Sequence, residues 1–291
     1  MANSAEEAII ELFGEERRVT GRQPVSGGDI NRAYRLSLAD GTSVFMKCNR
    51  VKNLSFFRAE VKGLEALRGT GAIGVPKPLA AGTDTRRGIA FLLMEYLEAA
   101  PRIPGYWETF GRELAALHRA GCESPLFGFE ADNFIGATPQ INARKEKWAV
   151  FFRDCRLLPQ IRMAGDALDG KTRSQLNRLL DHLDGYLPEP DFPSLIHGDL
   201  WSGNAVCGPD GKAWILDPAA YVGHFEAELA MTELFGGFPA SFYGAYHEIN
   251  KIDSGYKDRR DLYNLYHLLN HLNLFGRSYL PSVQRIVRKY A

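Results

Sequence analysis

The sequence is sparing with cysteine. It has four, at Cys48, Cys122, Cys155 and Cys207, and no two stand as C-x-x-C, which excludes a zinc knuckle or a thioredoxin-type redox pair. It also has no excess of either charge: 35 Lys+Arg meet 35 Asp+Glu, so the basic surplus usual in nucleic-acid binders is missing. No run approaches the roughly 20 apolar residues that span a bilayer. The first residues, MANSAEEAIIELF, are acidic and amphipathic, without the basic start and apolar run of a signal peptide. A Walker A loop, G-x-x-x-x-G-K-[ST], is absent as well. The expectation is a cytoplasmic protein with neither a nucleic-acid nor a membrane partner, and with scattered cysteines as buried thiols.

What is present divides into two textures. After a short helix around Ile9–Phe13, the stretch Val19–Asn49 alternates like strands, with Tyr34, Leu36 and Leu38 on one face and Asp40-Gly41 as a hairpin turn. A helix follows, with Phe57, Val61, Leu64 and Leu67 on one stripe. Val75–Ala81 and Gly88–Leu97 read as two more strands. Beyond Pro101, Pro104 and Gly105 the chain turns helical: Trp107–Ala120, Lys145–Ile161, Arg173–Leu187, Leu229–Phe235, Phe242–Ile249 and Asp261–Phe275. Short apolar β-type pieces, Leu195–Ile196 and Ala213–Leu216, interrupt them. The pattern predicts an α+β, two-lobed protein, with a small β-rich lobe over residues 1–98, a larger and mainly helical lobe over 99–291, and a ligand cleft between them.

The polar residues beside those β-type pieces carry chemistry. His197-Gly198-Asp199 followed by Asn204 has the spacing H-x-D-x-x-x-x-N of a kinase catalytic loop. Asp199 suits a base that orients an acceptor hydroxyl and takes its proton. Asn204 and Asp217 offer oxygen ligands to Mg²⁺, a hard cation. HGD alone also reads as a polar turn with a capping aspartate, but such a turn gives no reason for Asn204 and Asp217 to follow in order.

Lys47 ends an alternating strand. Glu60 interrupts the apolar stripe of the next helix, three residues after Phe57 and four before Leu64. A carboxylate there calls for a cation, and a Lys47–Glu60 pair would hold ATP phosphates as in kinases. A solvated Glu60 at the edge of the stripe would leave Lys47 a plain strand end. Gly27 and Gly28, in Ser26–Asn31, read as phosphate cover or as an ordinary hairpin turn. Glu95, Tyr96 and Leu97 close the β-rich half, where a hinge would meet adenine. His118, beside Leu117 on its helix, reads as a satisfied histidine of the core or cleft edge.

With these motifs in place, the chain resembles the fructosamine kinase (ketosamine 3-kinase) family nearly end to end. The resemblance is carried by Val44–Asn49, Leu93–Glu98 and Asp132–Ile141, and most specifically by HGDLWSGN, Asp217–His224 (DPAAYVGH) and Asn270–Gly276 (NHLNLFG). It implies a protein-kinase-like fold and ATP- and Mg²⁺-dependent phosphorylation of the sugar 3-hydroxyl of ketosamines, free or protein-bound. By the same resemblance Asp199 is the base, Lys47 binds phosphate, and Asn204 and Asp217 hold Mg²⁺. Trp201 would stack on the substrate, with His197 and His224 as further substrate-side residues. Two departures stand out. Asp29 occupies a loop position where many relatives carry cysteine, which speaks against a disulfide-linked dimer there. Phe225-Glu226-Ala227-Glu228 replaces Arg-Glu-Ala-Asp, so the last acid is longer and the basic residue is lost. Two other readings remain: a kinase for an aminoglycoside, choline or a free sugar, and a pseudokinase.

Overall fold

The computed structural model describes residues 4–25, 31–120 and 125–290; Gly27 and Gly28 lie outside the described residues. The chain opens with helix α1 (Ala5–Phe13), capped by Ser4, whose hydroxyl accepts the Glu7 amide at 3.1 Å. Five strands follow: β1 (Val19–Val25), β2 (Arg32–Leu38), β3 (Ser43–Arg50), β4 (Pro78–Asp84) and β5 (Ile89–Glu95). They form one antiparallel sheet in the order β1-β2-β3-β5-β4.

Strand alternation decides what each face of this sheet does. Leu36, Val44, Met46, Phe91 and Leu93 point outward and are buried under Ala5, Ala8 and Ile9 of α1. Phe45 packs instead on the main core with Leu92 and Met94. Lys47, two residues on, shares the inner face with Phe45. Helix α2 (Leu54–Gly69), between β3 and β4, buries Phe57, Leu64 and Leu67.

The helical part contains α3 (Tyr106–Arg119), α4 (Trp148–Phe151), α5 (Leu158–Ala164), α6 (Gly170–Asp181), α7 (Leu183–Tyr186), α8 (Phe225–Leu234), α9 (Ala240–Ile249), α10 (Tyr256–Phe275) and α11 (Leu280–Tyr290). The helix expected over Lys145–Ile161 is interrupted. Between α4 and α5 the segment Phe152–Leu157 widens into a π-turn, which lets the buried Arg156 bond the Ile141 carbonyl at 2.6 Å and lie 3.8 Å over the Tyr221 ring. The helix expected over Arg173–Leu187 breaks at His182. α11, strongly amphipathic, has no counterpart among the sequence expectations. No helix of the described residues is long and apolar enough to cross a membrane.

α3 and α9 pack unusually close because residue 111 is glycine: a Cβ there would sit 2.2 Å from the Phe242 carbonyl oxygen. Backbone cannot yield as a side-chain tip can. Gly111→Ala is therefore expected to cost at least about 1–3 kcal/mol, read as a lower urea midpoint with an unchanged m-value.

Three short pairings complete the fold among the described residues. β6 (Asn133–Ile135) pairs with β7 (Thr138–Gln140), β8 (Ser194–Ile196) with β11 (Tyr221–Gly223), and β9 (Ala205–Cys207) with β10 (Ala213–Ile215). Because β8 pairs with β11 and β9 with β10, the loop 197–204 after β8 and the loop 216–220 after β10 must emerge side by side. The fold thereby brings the two halves of the HGD…N…D motif together.

Candidate active site

Gly198 makes the first loop possible. Its φ is +82°, and a Cβ would meet the Ala219 carbonyl oxygen at 2.2 Å, so only glycine lets the two loops touch. The Ala219 amide donates to the His197 carbonyl at 2.9 Å, and the Leu216 amide to the Asn204 carbonyl at 2.9 Å. Asp217 follows with φ +58°, the one non-glycine residue in the left-handed region among the described residues. Backbone strain of this kind persists where surrounding contacts over-determine it.

Asn204 turns back on Asp199. Its side-chain amide donates to the Asp199 carbonyl at 2.8 Å and to Asp199 Oδ2 at 3.3 Å. That fixes the amide with its NH₂ toward Asp199 and leaves its oxygen as the end available to a cation. Burial, and after it the charge of nearby Asp217, pushes the Asp199 carboxyl up to about 8.

Lys47 reaches this pair from the sheet. Its ammonium contacts Glu60 Oε1 at 2.6 Å and also meets Asp217 Oδ1. Burial disfavours the Lys47 charge, but the Asp217 and Glu60 carboxylates outweigh it and hold its pKa above the ordinary lysine value. The Glu60 carboxyl lies above its usual range, burial outweighing the attraction of Lys47. Glu60 is thus not a solvated stripe-edge residue: it lies on the inward face of α2 and pairs with Lys47.

At the end of β5, an inner strand of the sheet, the Glu95 amide is bonded to the Lys77 carbonyl at 2.9 Å. Tyr96 and Leu97 follow beyond the end of β5, with the Arg35 guanidinium 4.5 Å over the Tyr96 ring. Trp201 is exposed, 37% accessible, and its ring lies over Gly203, where a Cβ would fall 2.4 Å away.

Two expected substrate residues face the other way. His197 is fully buried: Nε2–H donates to the Leu216 carbonyl at 2.7 Å, and Nδ1 accepts the Asp199 amide at 3.2 Å. Burial lowers its pKa, so the neutral ring is a strut between the two loops and has no free edge for a substrate. His224 caps α8 by accepting the Glu226 amide at 3.1 Å, packed among Trp148, Phe225 and Tyr263. Burial drives its pKa down to about 3. Neither histidine reaches the space in front of Asp199; polarity in the sequence does not distinguish an exposed group from a buried, satisfied one.

Sequence reasoning assigns no role to the group that anchors the loop. Glu228, on α8 and wholly buried, accepts the His197 amide at 3.0 Å, the Gly198 amide at 2.8 Å and His118 Nε2–H at 2.9 Å. His118 Nδ1 in turn accepts the Tyr246 hydroxyl at 2.7 Å. Burial alone would raise the Glu228 carboxyl, but these donors hold it below the usual carboxylate value. The signal in the sequence is a carboxylate set between the apolar residues Ala227, Leu229 and Ala230 of α8.

A strand lysine paired to a helix glutamate, facing an HxD…N…D constellation across the opening between sheet and helices, defines a protein-kinase-like phosphotransferase. The chain belongs to the fructosamine kinase family, whose model matches residues 1–291. It is 43% identical over 287 residues to a Synechocystis protein named a probable ketoamine kinase, covering 97% of this chain and 94% of that one. It is 39% identical to the chloroplastic protein-ribulosamine 3-kinase of Arabidopsis thaliana, over all of this chain and 89% of the plant protein. Among solved structures, one from Thermobifida fusca described as a candidate fructosamine-3-kinase superposes with a TM-score of 0.86 at 35% identity. That match covers 100% of this chain and 99% of the other.

Proposed function

We propose that this protein transfers the γ-phosphoryl group of ATP to the 3-hydroxyl of a ketosamine, such as a fructosamine or ribulosamine. The observation that carries this reading is the placement of Asp199, held by Asn204, next to the Lys47–Asp217 contact. A hydroxyl at Asp199 and a phosphate at Lys47 would then lie face to face, which is most of what phosphoryl transfer requires.

In this reading residues 1–98 bind the nucleotide. Lys47, oriented by Glu60, takes the phosphates, Gly27 and Gly28 cover them, and the Glu95–Leu97 backbone meets adenine. Asn204 Oδ1 and the Asp217 carboxylate would hold Mg²⁺. Both are oxygen donors, and Mg²⁺ is commonly held by one or two protein oxygens plus substrate phosphates. Among the described residues no cluster of three or more His, Cys, Asp or Glu gathers as an all-protein cage. When bound, the ion neutralises phosphate charge. Asp199 orients the sugar hydroxyl and receives its proton; no other group on the loop can. Free thiols at Cys48, Cys155 and Cys207 agree with a cytoplasmic setting.

The test is an ATP-consumption assay on a panel of fructosyl-, ribulosyl- and erythrulosyl-amines beside choline, aminoglycosides and free sugars. The expected result is a kcat/KM for at least one ketosamine that exceeds the other classes by 100-fold or more, roughly 3 kcal/mol of discrimination. Turnover of choline or an aminoglycoside without any ketosamine would overturn the assignment. Within the same assay, Trp201→Ala is expected to raise the ketosamine KM about tenfold through loss of a ring face, leaving the ATP KM unchanged. Equal rises in both would remove Trp201 from the sugar site.

A further inference from the structure

The outer face of the sheet is covered along only part of its length. Leu36, Val44, Met46, Phe91 and Leu93 lie under α1. Past them on the same face, by strand alternation, come Arg32 of β2, Cys48 and Arg50 of β3 and Ile89 of β5, while Arg22 of β1 stands opposite Leu36. Arg22, Arg32, Tyr34, Cys48, Arg50 and Arg87 line a hollow of about 510 Å³ there, within the roughly 300–1,000 Å³ of small-molecule sites. Cys48 is buried, and the four arginines are exposed.

Four guanidinium groups in one hollow repel one another, and little around them offsets that. Only Arg87 meets carboxylates among the described residues, Glu6 at 2.7 Å and Asp84 at 3.5 Å. No Asp or Glu lines the hollow itself among the described residues. Lys+Arg and Asp+Glu balance over the whole chain, so the cluster is not the overflow of a general basic excess. Arginines that merely blunted a sheet edge would sit on β1 or β4, whereas Arg32 and Arg50 belong to the inner strands β2 and β3. Arg32 stands opposite Cys48, and Arg50 follows two residues on. Such diagonal neighbours lie about 7–8 Å apart, a gap that two long side chains can close on one anion. Arg22 is already held, its guanidinium 3.6 Å over the Tyr34 ring.

We propose that this hollow binds a small molecule carrying two or more phosphate groups. The planar fork of arginine pairs bidentately with phosphate oxygens, and four forks around a space of this size suit more than one phosphate. Confinement to one hollow, on a chain without net charge, favours such a ligand over a nucleic acid, which calls for a basic patch or stripe along its backbone. The site is separate from the one proposed for ATP. Lys47 directly precedes Cys48 in β3 and therefore points to the opposite face of the sheet. The proposal does not depend on the kinase reading.

The test is calorimetric titration of the whole chain with fructose 1,6-bisphosphate and inorganic pyrophosphate, beside fructose 6-phosphate and inorganic phosphate. Wild type is expected to bind at least one of the two doubly phosphorylated probes about tenfold or more tighter than either singly phosphorylated one. The double variant Arg32→Gln with Arg50→Gln is expected to weaken that binding by about tenfold or more. Its Kd for AMP-PNP with Mg²⁺ and its melting temperature without ligand should stay at the wild-type values, which verifies the fold. Absence of binding by wild type to both doubly phosphorylated probes at millimolar concentration overturns the proposal. So does binding that survives the double variant but is lost in Lys47→Met, because the probe would then occupy the nucleotide site. A parallel loss of AMP-PNP affinity in the double variant overturns it too, by making these arginines part of that site. Finally, an arginine-dependent affinity for single-stranded RNA or phosphatidylserine vesicles that exceeds the affinity for both probes would assign the cluster to a polymer or a membrane surface and overturn the small-molecule site.

Discussion

Asp199→Asn is expected to lower kcat by at least about 10³-fold and, in the metal-free protein, to raise the melting temperature at pH 8. The first effect follows from the role proposed for this side chain. General-base help contributes about 10²–10⁴-fold, and asparagine offers the same shape without a basic oxygen. ATP binding, for which Lys47 and the sheet are the proposed site, should survive. The second effect follows from the burial of the same carboxyl. The Asp199 carboxyl moves from 3.8 to about 8, burial first and the Asp217 charge second. Between those two pH values the folded protein therefore holds a proton that the unfolded chain has released. Stability falls as pH rises wherever the folded state binds more protons, so wild type loses stability from pH 4 up to pH 8 and asparagine does not. The gap between the two melting temperatures should widen across that window and then level off. Wild-type turnover in the variant would show that Asp199 is not the base, and melting in parallel with wild type at every pH would show that its carboxyl is not held protonated by burial.

Glu228→Ala should be the most damaging single change away from the cleft surface. It strips the acceptor from three buried donors at once: the amides of His197 and Gly198 and the His118 ring. Removing one partner from a buried charged network costs about 3–5 kcal/mol, or on the order of 10 °C in melting temperature for a chain of this size. Glu228→Gln separates loop positioning from bulk stability. One amide oxygen can still serve Gly198, and His118 can change tautomer to accept from the new NH₂. The His197 amide is then left opposed by a donor, at about 1–3 kcal/mol. The Gln variant should melt only slightly early yet lose kcat by tenfold or more when assayed well below its midpoint, with the ATP KM near wild type. Full activity in that variant would mean that Glu228 supports the fold without aiming Asp199.

These two residues mark what can and cannot be read from the chain alone. Asp199, Asn204 and Asp217 lie within one local unit of short strands and two loops, so their roles leave a fixed spacing in the sequence. Glu60 was legible because it breaks an apolar stripe, and the ion pair with Lys47 follows from the cost of leaving it alone. The anchor of the loop was not legible in this way. His118 and Glu228 are 110 residues apart and meet only through helix packing. His197 and His224 misled for the opposite reason: a polar residue inside a chemical motif suggests contact with substrate, whereas both are consumed in holding backbone. The broad division into sheet and helices came through cleanly. The π-turn around Arg156 did not, because it depends on a carbonyl from a distant hairpin rather than on local periodicity.

The contact between Lys47 and Asp217 has one further meaning. The lysine proposed to grip phosphate and the aspartate proposed to face the cation lie in direct contact and neutralise each other. A phosphate arriving without a cation must take Lys47 from Asp217 and leave that carboxylate facing Asp199 uncompensated. A cation arriving alone faces the rival ammonium. In the proposed kinase reading the two guests would therefore ease each other's entry, and a site so built would favour them as a pair over either one by itself.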